Sequence, residues 1–530
     1  MLNIEKSNSI IMSFILSVVM VVSILSKFSF VLSIQTAIFL ILILLFIYLV
    51  NNNKFKLNSY VILTLIFFLV CCSSYISADF KTNVKNYLLI LSSSLMAGFI
   101  FSCLSLEFKK KVFFIPVFIA LWLSMILFTK FVTNIQTFFY GNNFSDNIAL
   151  NVNVVASFLV LVYPLIFIFI REQKNTKIFI AIMLFVLFSI FVTGCKIALI
   201  LSLISTIIFL LGYRKKTYIK VLMAFSGICL IAYVCYEFFL KPDFKSSTES
   251  LVLWKTAYLI FKENIFFGCG LGNYSTLFNT FRPELVSGTM FAHNIVMQLL
   301  AETGLLGFLS FFILIVSFYF RVITKITEEK DIYFYIYTAI SITCFLIMNL
   351  FEYSFFVPTN MLLFFIVLSS VFYNKIETLK KNRTNIFVLF FVSACIIAFF
   401  IRPVIANTYY KKGIDLYVAG HYKVAIEEFE KAIKFDKKNP EYYMQVSRSY
   451  FAIYDKIRNE EGQVYIDKAV EYNKKAIQLH KYDAKLRFSL ASFYWNENKK
   501  EDALDAIQEA LKYDKFNSDY EEYYYQIKNS

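Results

Sequence analysis

Long apolar runs recur through the first 401 residues of this 530-residue chain. A helix that crosses a bilayer needs about 20 consecutive, mainly apolar residues, and the runs have about this length. The first run lacks a small-residue cleavage site and a second run follows it directly, so we interpret it as an anchor and not as a removed signal peptide. We predict about 12–13 spans, and thus an all-α polytopic membrane domain, with spans near 9–26, 30–50, 59–78, 87–104, 112–129, 152–170, 177–193, 197–212, 219–240, 292–320, 333–351, 360–373 and 386–401.

The composition excludes most other classes of protein. Hydrophobic residues make up 58% of the chain and charged residues only 17%, with a mean hydropathy of +0.63. A soluble domain has about 45–50% apolar residues, and a disordered chain has fewer still. The sequence is therefore incompatible with a soluble enzyme or a disordered protein.

The positive charge is concentrated in the predicted membrane domain. Residues 1–401 hold 30 Lys and Arg against 16 Asp and Glu, whereas residues 402–530 hold 22 against 21. Short cytoplasmic loops of membrane proteins are enriched in Lys and Arg. With the N-terminus inside, every second turn is basic, and these turns carry Lys54 and Lys56; Lys109, Lys110 and Lys111; Arg171, Lys174 and Lys177; Arg214, Lys215, Lys216 and Lys220; Arg321, Lys325 and Lys330; Lys375, Lys380, Lys381 and Arg383.

The same alternation predicts which segments lie on the other face of the membrane. The opposite turns include the long segments 130–151 and 241–291, and with thirteen spans the tail at 402–530 is also outside the cytoplasm. We therefore divide the chain into a membrane domain at 1–401 and an extracytoplasmic domain at 402–530. The basic turns are explained by topology and give no support for nucleic-acid binding.

The tail contains an internal repeat that resembles the 34-residue tetratricopeptide repeat. That repeat needs small residues where its paired helices approach and aromatic residues between them. Counted from Ala406, these positions are filled by Gly413, Gly420, Tyr422, Ala425, Phe429, Ala432 and Asp436. A second register from Ala484 includes Ala491, Tyr494, Ala503, Ala510 and Asp514, and a middle repeat includes Ala469 and Ala476.

We predict three repeats, with an insertion around 455–464 and a final Tyr-rich helix near 519–528. One interpretation is a concave surface that binds a peptide or protein partner. The other is a spacer made of amphipathic helices. The repeat predicts an α-helical fold and does not identify a ligand.

Residues 241–307 carry the most chemical information. His293 is the only histidine of the first 401 residues and stands at the outer end of a predicted span. On a continuous α-helix it would share one face with Met297, Leu300, Gly304 and Gly307, and the two glycines would permit close approach of another helix. Glu302 would lie on the opposite face, so we do not predict an acid–base pair between it and His293.

These residues resemble the signature of the O-antigen ligase and polymerase superfamily of bacterial envelope glycosyltransferases. The resemblance rests on His293-Asn294, nine residues, and then Gly304-Leu305-Leu306-Gly307. Further similar segments are Trp254-Lys255 with Phe267-Gly268-Cys269-Gly270-Leu271-Gly272-Asn273, and Thr193-Gly194-Cys195-Lys196, where Lys replaces the usual Arg. The family's arginine four residues before the tryptophan is Ser250 here.

The resemblance implies a multi-pass glycosyltransferase of the bacterial cytoplasmic (inner) membrane. It would move an oligosaccharide or polysaccharide from a polyprenyl diphosphate, such as undecaprenyl diphosphate, to an acceptor hydroxyl on the outer face. Three acceptors remain open: the lipid A core, the growing glycan in a polymerase, or a protein hydroxyl in an O-oligosaccharyltransferase. The implied partners are therefore this glycan donor, one of these acceptors and membrane lipid, together with a protein partner if the repeats form a binding surface.

The chemistry of such a transfer identifies candidate side chains. A departing diphosphate needs fixed cations, and a guanidinium holds phosphate oxygens bidentately. We therefore predict Arg282 as a catalytic and donor-binding residue, with Lys196 and Lys255 as further donor-binding cations. His293 suits the acceptance of a proton from the attacking hydroxyl near neutral pH. We expect neither a metal nor another cofactor.

Two further features of this region have structural interpretations. Gly268, Gly270 and Gly272 lack the strand and spacing of a dinucleotide fingerprint, and we interpret them as a turn. Cys195 and Cys269 are the cysteines predicted nearest to the outer surface, and a disulfide between them is a hypothesis.

A function of another class remains open. A non-enzymatic scaffold or a transporter could use the repeat tail to recruit partners. A transporter is expected to have broken helices with buried charges near the middle of the membrane. The predicted charges instead cluster at the outer ends of the spans, which favours the transferase.

Overall fold

The computed structural model describes residues 2–25, 32–55, 59–133, 151–172, 176–212, 244–286, 288–328, 331–373, 376–378, 383–458 and 460–530. In the membrane domain its helices are Leu2–Leu25, Leu32–Asn52, Ser59–Ser77, Lys81–Ser102, Leu106–Thr133, Val152–Glu172, Thr176–Val192, Lys196–Leu211, Phe244–Glu263, Tyr274–Phe281, Ile295–Glu328, Ile332–Met348 and Pro358–Ser369. Arg383–Val418 continues into the tail, which adds Tyr422–Phe435, Pro440–Ile457, Gln463–Leu479, Ala484–Asn496, Lys500–Tyr513 and Ser518–Asn529. The prediction of an all-α fold is confirmed, since the described residues add only one antiparallel pair of three-residue strands, Asn53–Phe55 and Ile376–Thr378.

The predicted spans correspond to helices wherever the structure describes them. Twelve of the thirteen predicted segments overlap a helix, and the one at 219–240 lies outside the described residues. Five of the described helices are long and apolar enough to cross a bilayer: Ser59–Ser77, Lys81–Ser102, Leu106–Thr133, Val152–Glu172 and Ile295–Thr327. Shorter apolar helices complete the bundle, so the protein is a multi-pass membrane protein.

The Val152–Glu172 helix forms the centre of this bundle. Its side chains from Val154 to Ile170 are all buried, which fits an apolar helix surrounded by other helices rather than by lipid. Polar side chains join it to its neighbours: the Tyr163 hydroxyl lies 2.7 Å from that of Thr206. Such hydrogen bonds between helices replace water as partners within a membrane. The helix is therefore held by its neighbours along its whole length.

The basic turns meet at one end of the bundle. The Lys110 ammonium lies 2.7 Å from the Glu172 carboxylate and 2.8 Å from that of Asp331, which joins three of these turns. Two further basic turns are joined by the antiparallel pairing of Asn53–Phe55 with Ile376–Thr378. The alternation of basic and less basic loops predicts that these turns lie on the same side of the membrane. That this side is the cytoplasmic one stays a prediction.

The tail begins within a helix. Arg383–Val418 runs without interruption across the predicted domain boundary at 401/402, so the last predicted span and the first repeat helix are one element. The following helices form consecutive pairs, and the small residues of the predicted repeat lie at their contacts. A Cβ atom on Gly413 would lie 2.5 Å from the Phe429 ring. In the described part of the tail, the alanines with no exposed surface are Ala406, Ala425, Ala432, Ala469, Ala476, Ala491, Ala503 and Ala510.

The remaining details of the tail agree with the repeat register. The predicted insertion contains the short 3-10 helix Glu460–Gly462, and the predicted Tyr-rich segment is the Ser518–Asn529 helix. Gly420 adopts a φ of 80° in the turn after the first repeat helix, where a residue without Cβ avoids strain. The tail is therefore a stack of helix pairs, as the repeat predicts.

Candidate functional site

His293 precedes the signature helix and does not lie on it. The helix begins at Ile295, and His293 has a φ of 50°, which is uncommon for a residue with a side chain. The carbonyl oxygen of the Asn294 side chain accepts hydrogen bonds from the amides of Val296, at 2.9 Å, and Met297, at 3.1 Å. Asn is among the preferred N-cap residues, so the helix starts after it. The prediction that His293 shares a helical face with the glycines is therefore wrong.

The His293 imidazole faces polar groups and an aromatic ring. Its Nδ1 lies 3.9 Å from a carboxylate oxygen of Glu352, and its Nε2 lies 3.5 Å from the Thr289 hydroxyl. The Tyr353 ring packs against it edge-on, with ring centroids 4.8 Å apart. About 31% of the His293 side chain is exposed. The ring is thus held by protein on two sides and remains accessible to a substrate.

The start of the central helix holds the partners of His293. The side-chain amide of Asn153 donates to Glu352 Oε1 at 2.8 Å, and that of Asn151 donates to the Tyr353 hydroxyl at 2.7 Å. Asn151 also accepts from the backbone amide of Asn153, so it caps the helix. Among the described residues, the other carboxylate oxygen, Glu352 Oε2, has no hydrogen-bond partner, and this is the oxygen nearest to the imidazole.

Burial shifts both ionisable groups of this pair towards their neutral forms. It lowers the pKa of His293 below its ordinary value and raises the pKa of Glu352 to about 7. At neutral pH the imidazole is therefore mainly uncharged and able to accept a proton. A carboxylate at 3.9 Å would stabilise the imidazolium that forms as a result.

The segments that carry His293 and Glu352 are joined by short hydrogen bonds. The Ile295 amide donates to the carbonyl of Asn349 at 2.8 Å, and the Asn294 side chain donates to the carbonyl of Leu350 at 3.0 Å. The rings of Phe291 and Tyr353 stack with centroids 4.8 Å apart. These contacts fix the relative position of the imidazole and the carboxylate.

Gly304 breaks the signature helix. Its φ of 67° and ψ of −170° are adopted almost only by glycine, and an added Cβ would lie 2.4 Å from the carbonyl group of Phe266. The segment 264–272 runs alongside this break, where Leu305 N donates to Ile265 O at 2.7 Å and Gly270 N to Glu302 O at 2.9 Å. The missing side chain at Gly304 therefore leaves room for the 264–272 loop. The sequence predicts instead that another helix approaches this glycine.

The glycine turn and Glu302 complete this junction. Gly268, Gly270 and Gly272 have φ values of 68°, 96° and 78°, in agreement with a turn. The buried Glu302 carboxylate accepts from the Tyr274 amide at 3.2 Å and from the Gln298 side chain at 2.8 Å. Glu302 therefore fastens the loop to the broken helix, which agrees with the prediction that it is not the partner of His293.

Arg282 is paired with the repeat tail. Its guanidinium lies 2.7 Å from the Asp514 carboxylate, and both side chains are less than 10% exposed. A second nitrogen of the guanidinium donates to the carbonyl of Val286 at 2.9 Å. The predicted role in donor binding would require this ion pair to open.

The two predicted lysines occupy different surroundings. Lys196 is half-buried and begins its helix directly after Cys195. Burial raises the pKa of the Cys195 thiol to about 11, and the charge of Glu352 contributes to the increase, so this turn lies within electrostatic reach of that carboxylate. Lys255 is exposed on the Phe244–Glu263 helix. Of the two lysines, Lys196 therefore directly follows the residue that lies within electrostatic reach of Glu352.

The disulfide hypothesis is wrong. Cys195 and Cys269 are both free thiols. Cys269 is buried in the glycine turn, where its backbone amide donates to the carbonyl of Ala301 at 2.9 Å. Its position is set by this pairing with the broken helix.

Glu352, Tyr353 and Asn153 are site residues that the sequence prediction omitted. Glu352 follows a predicted span at its outer end, and a carboxylate in that position is a signal for function. It is 59 residues from His293 in the chain, so the sequence alone does not place the two together. Asn153 is one polar residue at the start of an apolar run and carries no such signal.

Comparison with known proteins agrees with the signature in this region. Residues 181–312 match the family model described as O-antigen ligase. Curated proteins include no match to the chain. Among solved structures, the first tetratricopeptide repeat domain of Spaghetti (RPAP3) bound to an HSP90 peptide is 18% identical, covering 23% of this chain and 90% of that one, with a TM-score of 0.21. The matched segment contains the signature histidine, the broken helix and the glycine turn, so in this region the multi-pass membrane protein is similar to the O-antigen ligase family.

Proposed function

We propose that this protein transfers a polyprenyl-diphosphate-linked oligosaccharide or polysaccharide to an acceptor hydroxyl at the outer face of the bacterial cytoplasmic membrane. The family match supports a membrane glycosyltransferase of the ligase and polymerase superfamily. The observation that carries the proposal is the partly exposed imidazole of His293, which lies near Glu352 at the end of the bundle opposite the basic turns.

In this reaction the acceptor oxygen attacks the anomeric carbon of the donor sugar. The bond between that carbon and the diphosphate oxygen breaks as the new glycosidic bond forms, and the acceptor proton passes to the neutral imidazole of His293. The Glu352 carboxylate, 3.9 Å away, stabilises the imidazolium electrostatically. The proton then leaves to solvent or to the released polyprenyl diphosphate, so His293 returns to its neutral form.

The departing diphosphate needs positive charge beside it. Lys196 is the first candidate because it directly follows Cys195, whose thiol senses the charge of Glu352. Lys255 is exposed on the Phe244–Glu263 helix, so it would contact only a donor that lies against that helix. Arg282 would contribute only after release from Asp514. Increases in the KM for donor in Lys196→Ala and not in Lys255→Ala would support this order, and the reverse would contradict it.

One feature of the structure supports the transporter alternative and another opposes it. A broken helix with a buried carboxylate, as at Gly304 and Glu302, occurs at the substrate sites of transporters. In this protein the Glu302 carboxylate is used by the Tyr274 amide and the Gln298 side chain, which hold a loop. The broken helix therefore has a structural explanation, and the transferase remains our proposal.

The test compares two histidine substitutions in cells that express the full chain at equal levels. His293→Gln should abolish the transferred glycan and cause the lipid-linked donor to accumulate, as measured by mass spectrometry of lipid extracts. His421→Gln is the matched control, since His421 is exposed in the tail. Unchanged transfer in His293→Gln would refute the proposal.

A further inference from the structure

Three successive helix pairs of the tail present an equivalent residue to the membrane domain. Asp436, His480 and Asp514 are the residues that end the helices Tyr422–Phe435, Gln463–Leu479 and Lys500–Tyr513. Their backbone conformations agree closely, with φ of −137°, −144° and −144° and ψ of 84°, 83° and 76°. In each case the amide donates to the carbonyl of a buried repeat alanine four residues earlier. We name these three residues the C-cap row.

Each member of the C-cap row contacts the membrane domain. The Asp436 carboxylate lies 2.9 Å from the Lys85 ammonium. His480 Nε2 lies 3.4 Å from the Asp79 carboxylate, and the Asp514 carboxylate lies 2.7 Å from the Arg282 guanidinium. Neutral contacts reinforce these pairs: Thr82 donates to Asp436, Phe80 stacks on His480 and Asn279 donates to Asp514.

The contacts are buried, and two of the three pair opposite charges. All three residues of the C-cap row are less than 7% exposed. The acidic residues meet a lysine and an arginine, and the histidine meets an aspartate. Loss of one partner from a buried ion pair leaves the other charge unpaired in the interior, so such pairs strongly favour one docked arrangement.

The docked arrangement also forms a partly open cavity of about 270 Å³ between the two domains. The Tyr274–Phe281 helix of the membrane domain contributes Thr276 and Asn279 to its wall, and the tail contributes Tyr482, Tyr513 and Asp514. A repeat surface that could bind a separate partner therefore already faces a helix of its own chain.

We propose that the C-cap row docks the repeat tail onto the membrane domain, and that Asp514 acts through Arg282 as a positioning residue for the loop that carries His293. Arg282 directly follows the Tyr274–Phe281 helix and lies eleven residues before His293. The ion pair with Asp514 fixes one end of this connection, and the bonds from Asn294 and Ile295 to the 349–350 segment fix the other. The catalytic part of this inference rests on the proposed function; the docking part does not.

The test uses the full-length protein in detergent or nanodiscs. Asp514→Ala should accelerate amide hydrogen exchange in peptides that cover residues 274–294. Asp514→Glu retains a carboxylate and should restore protection, and Asp505→Ala, an exposed position on the same helix, should have no effect. Unchanged exchange in Asp514→Ala would overturn the docking proposal, whether or not the protein proves to be a transferase.

Kinetics with a polyprenyl-diphosphate glycan then separate positioning from donor binding. If Asp514 positions the loop, Asp514→Ala should lower kcat on the order of 10–100-fold and leave the KM for donor unchanged, because small displacements of reacting groups are costly. An increase in the KM for donor alone would overturn the positioning role. Asp436→Ala is a second variant with an independent readout, since it should raise exchange near residues 79–85 and leave 282–294 protected.

Discussion

Replacing Glu352 with glutamine should stabilise the protein at alkaline pH and impair its activity. Glutamine keeps the shape of the side chain and an oxygen that can accept the hydrogen bond from Asn153, which is 2.8 Å long in the wild type. What it removes is a carboxyl group whose pKa is raised by burial from 4.5 to about 7. The substitution therefore isolates the effect of a buried charge.

The magnitude follows from this pKa. A carboxyl group with a higher pKa in the folded state than in the unfolded state stabilises the fold fully below pH 4.5, and this contribution is lost as the pH rises through 7. The difference corresponds to roughly 3 kcal/mol, because one pH unit equals about 1.4 kcal/mol. The Glu352 side chain is only 12% exposed, so water screens little of this cost.

The assay is the thermal-unfolding midpoint of the purified full-length protein at pH 4.5 and pH 8.5. Wild type and Glu352→Gln should unfold at similar temperatures at pH 4.5, where both side chains are neutral. At pH 8.5 the variant should unfold at the higher temperature. It should also transfer glycan more slowly at pH 7.5, since the imidazolium of His293 loses its carboxylate. Equal or lower stability of Glu352→Gln at pH 8.5 would refute the reasoning.

Further predictions concern the backbone around the site. Gly304→Ala should sharply reduce the yield of folded protein, because its methyl group would overlap the Phe266 carbonyl, whereas Gly288→Ala has no described atom within 4 Å and should be tolerated; size-exclusion profiles measure both. A normal profile for Gly304→Ala would contradict the broken helix. Asn294→Ala should cost about 1 kcal/mol of stability for the lost N-cap and also reduce transfer. Asn517→Ala removes a similar cap from the last tail helix and should reduce stability alone, so equal activities of these two variants would contradict a role for Asn294 in holding the site.

The sequence predicts the fold well because bilayer thickness and helix pairing impose regular patterns. Spans are recognised from the length of apolar runs, and the repeat from small residues such as Gly413, whose neighbour Phe429 belongs to the next helix. Both patterns can be read from short stretches of sequence, because every span crosses the same lipid bilayer and every repeat pairs its helices in the same way.

The sequence predicts the site less completely because its contacts join distant parts of the chain. The helical-face prediction for His293 fails at a single residue, Asn294, whose side chain caps the helix one position later. Arg282 has the chemistry of a phosphate ligand, but its partner Asp514 is 232 residues away and its pairing depends on how the tail docks. Glu352 reaches His293 through the packing of the Ile332–Met348 helix, which no local pattern specifies.

The central claim is that the neutral imidazole of His293 accepts the acceptor proton. Its most direct test is single-turnover transfer from a purified polyprenyl-diphosphate glycan by the full-length protein, comparing His293→Gln with wild type and with His421→Gln. We predict that His293→Gln still binds the donor but transfers no measurable glycan, while His421→Gln matches wild type. Transfer by His293→Gln at the wild-type rate would contradict the claim.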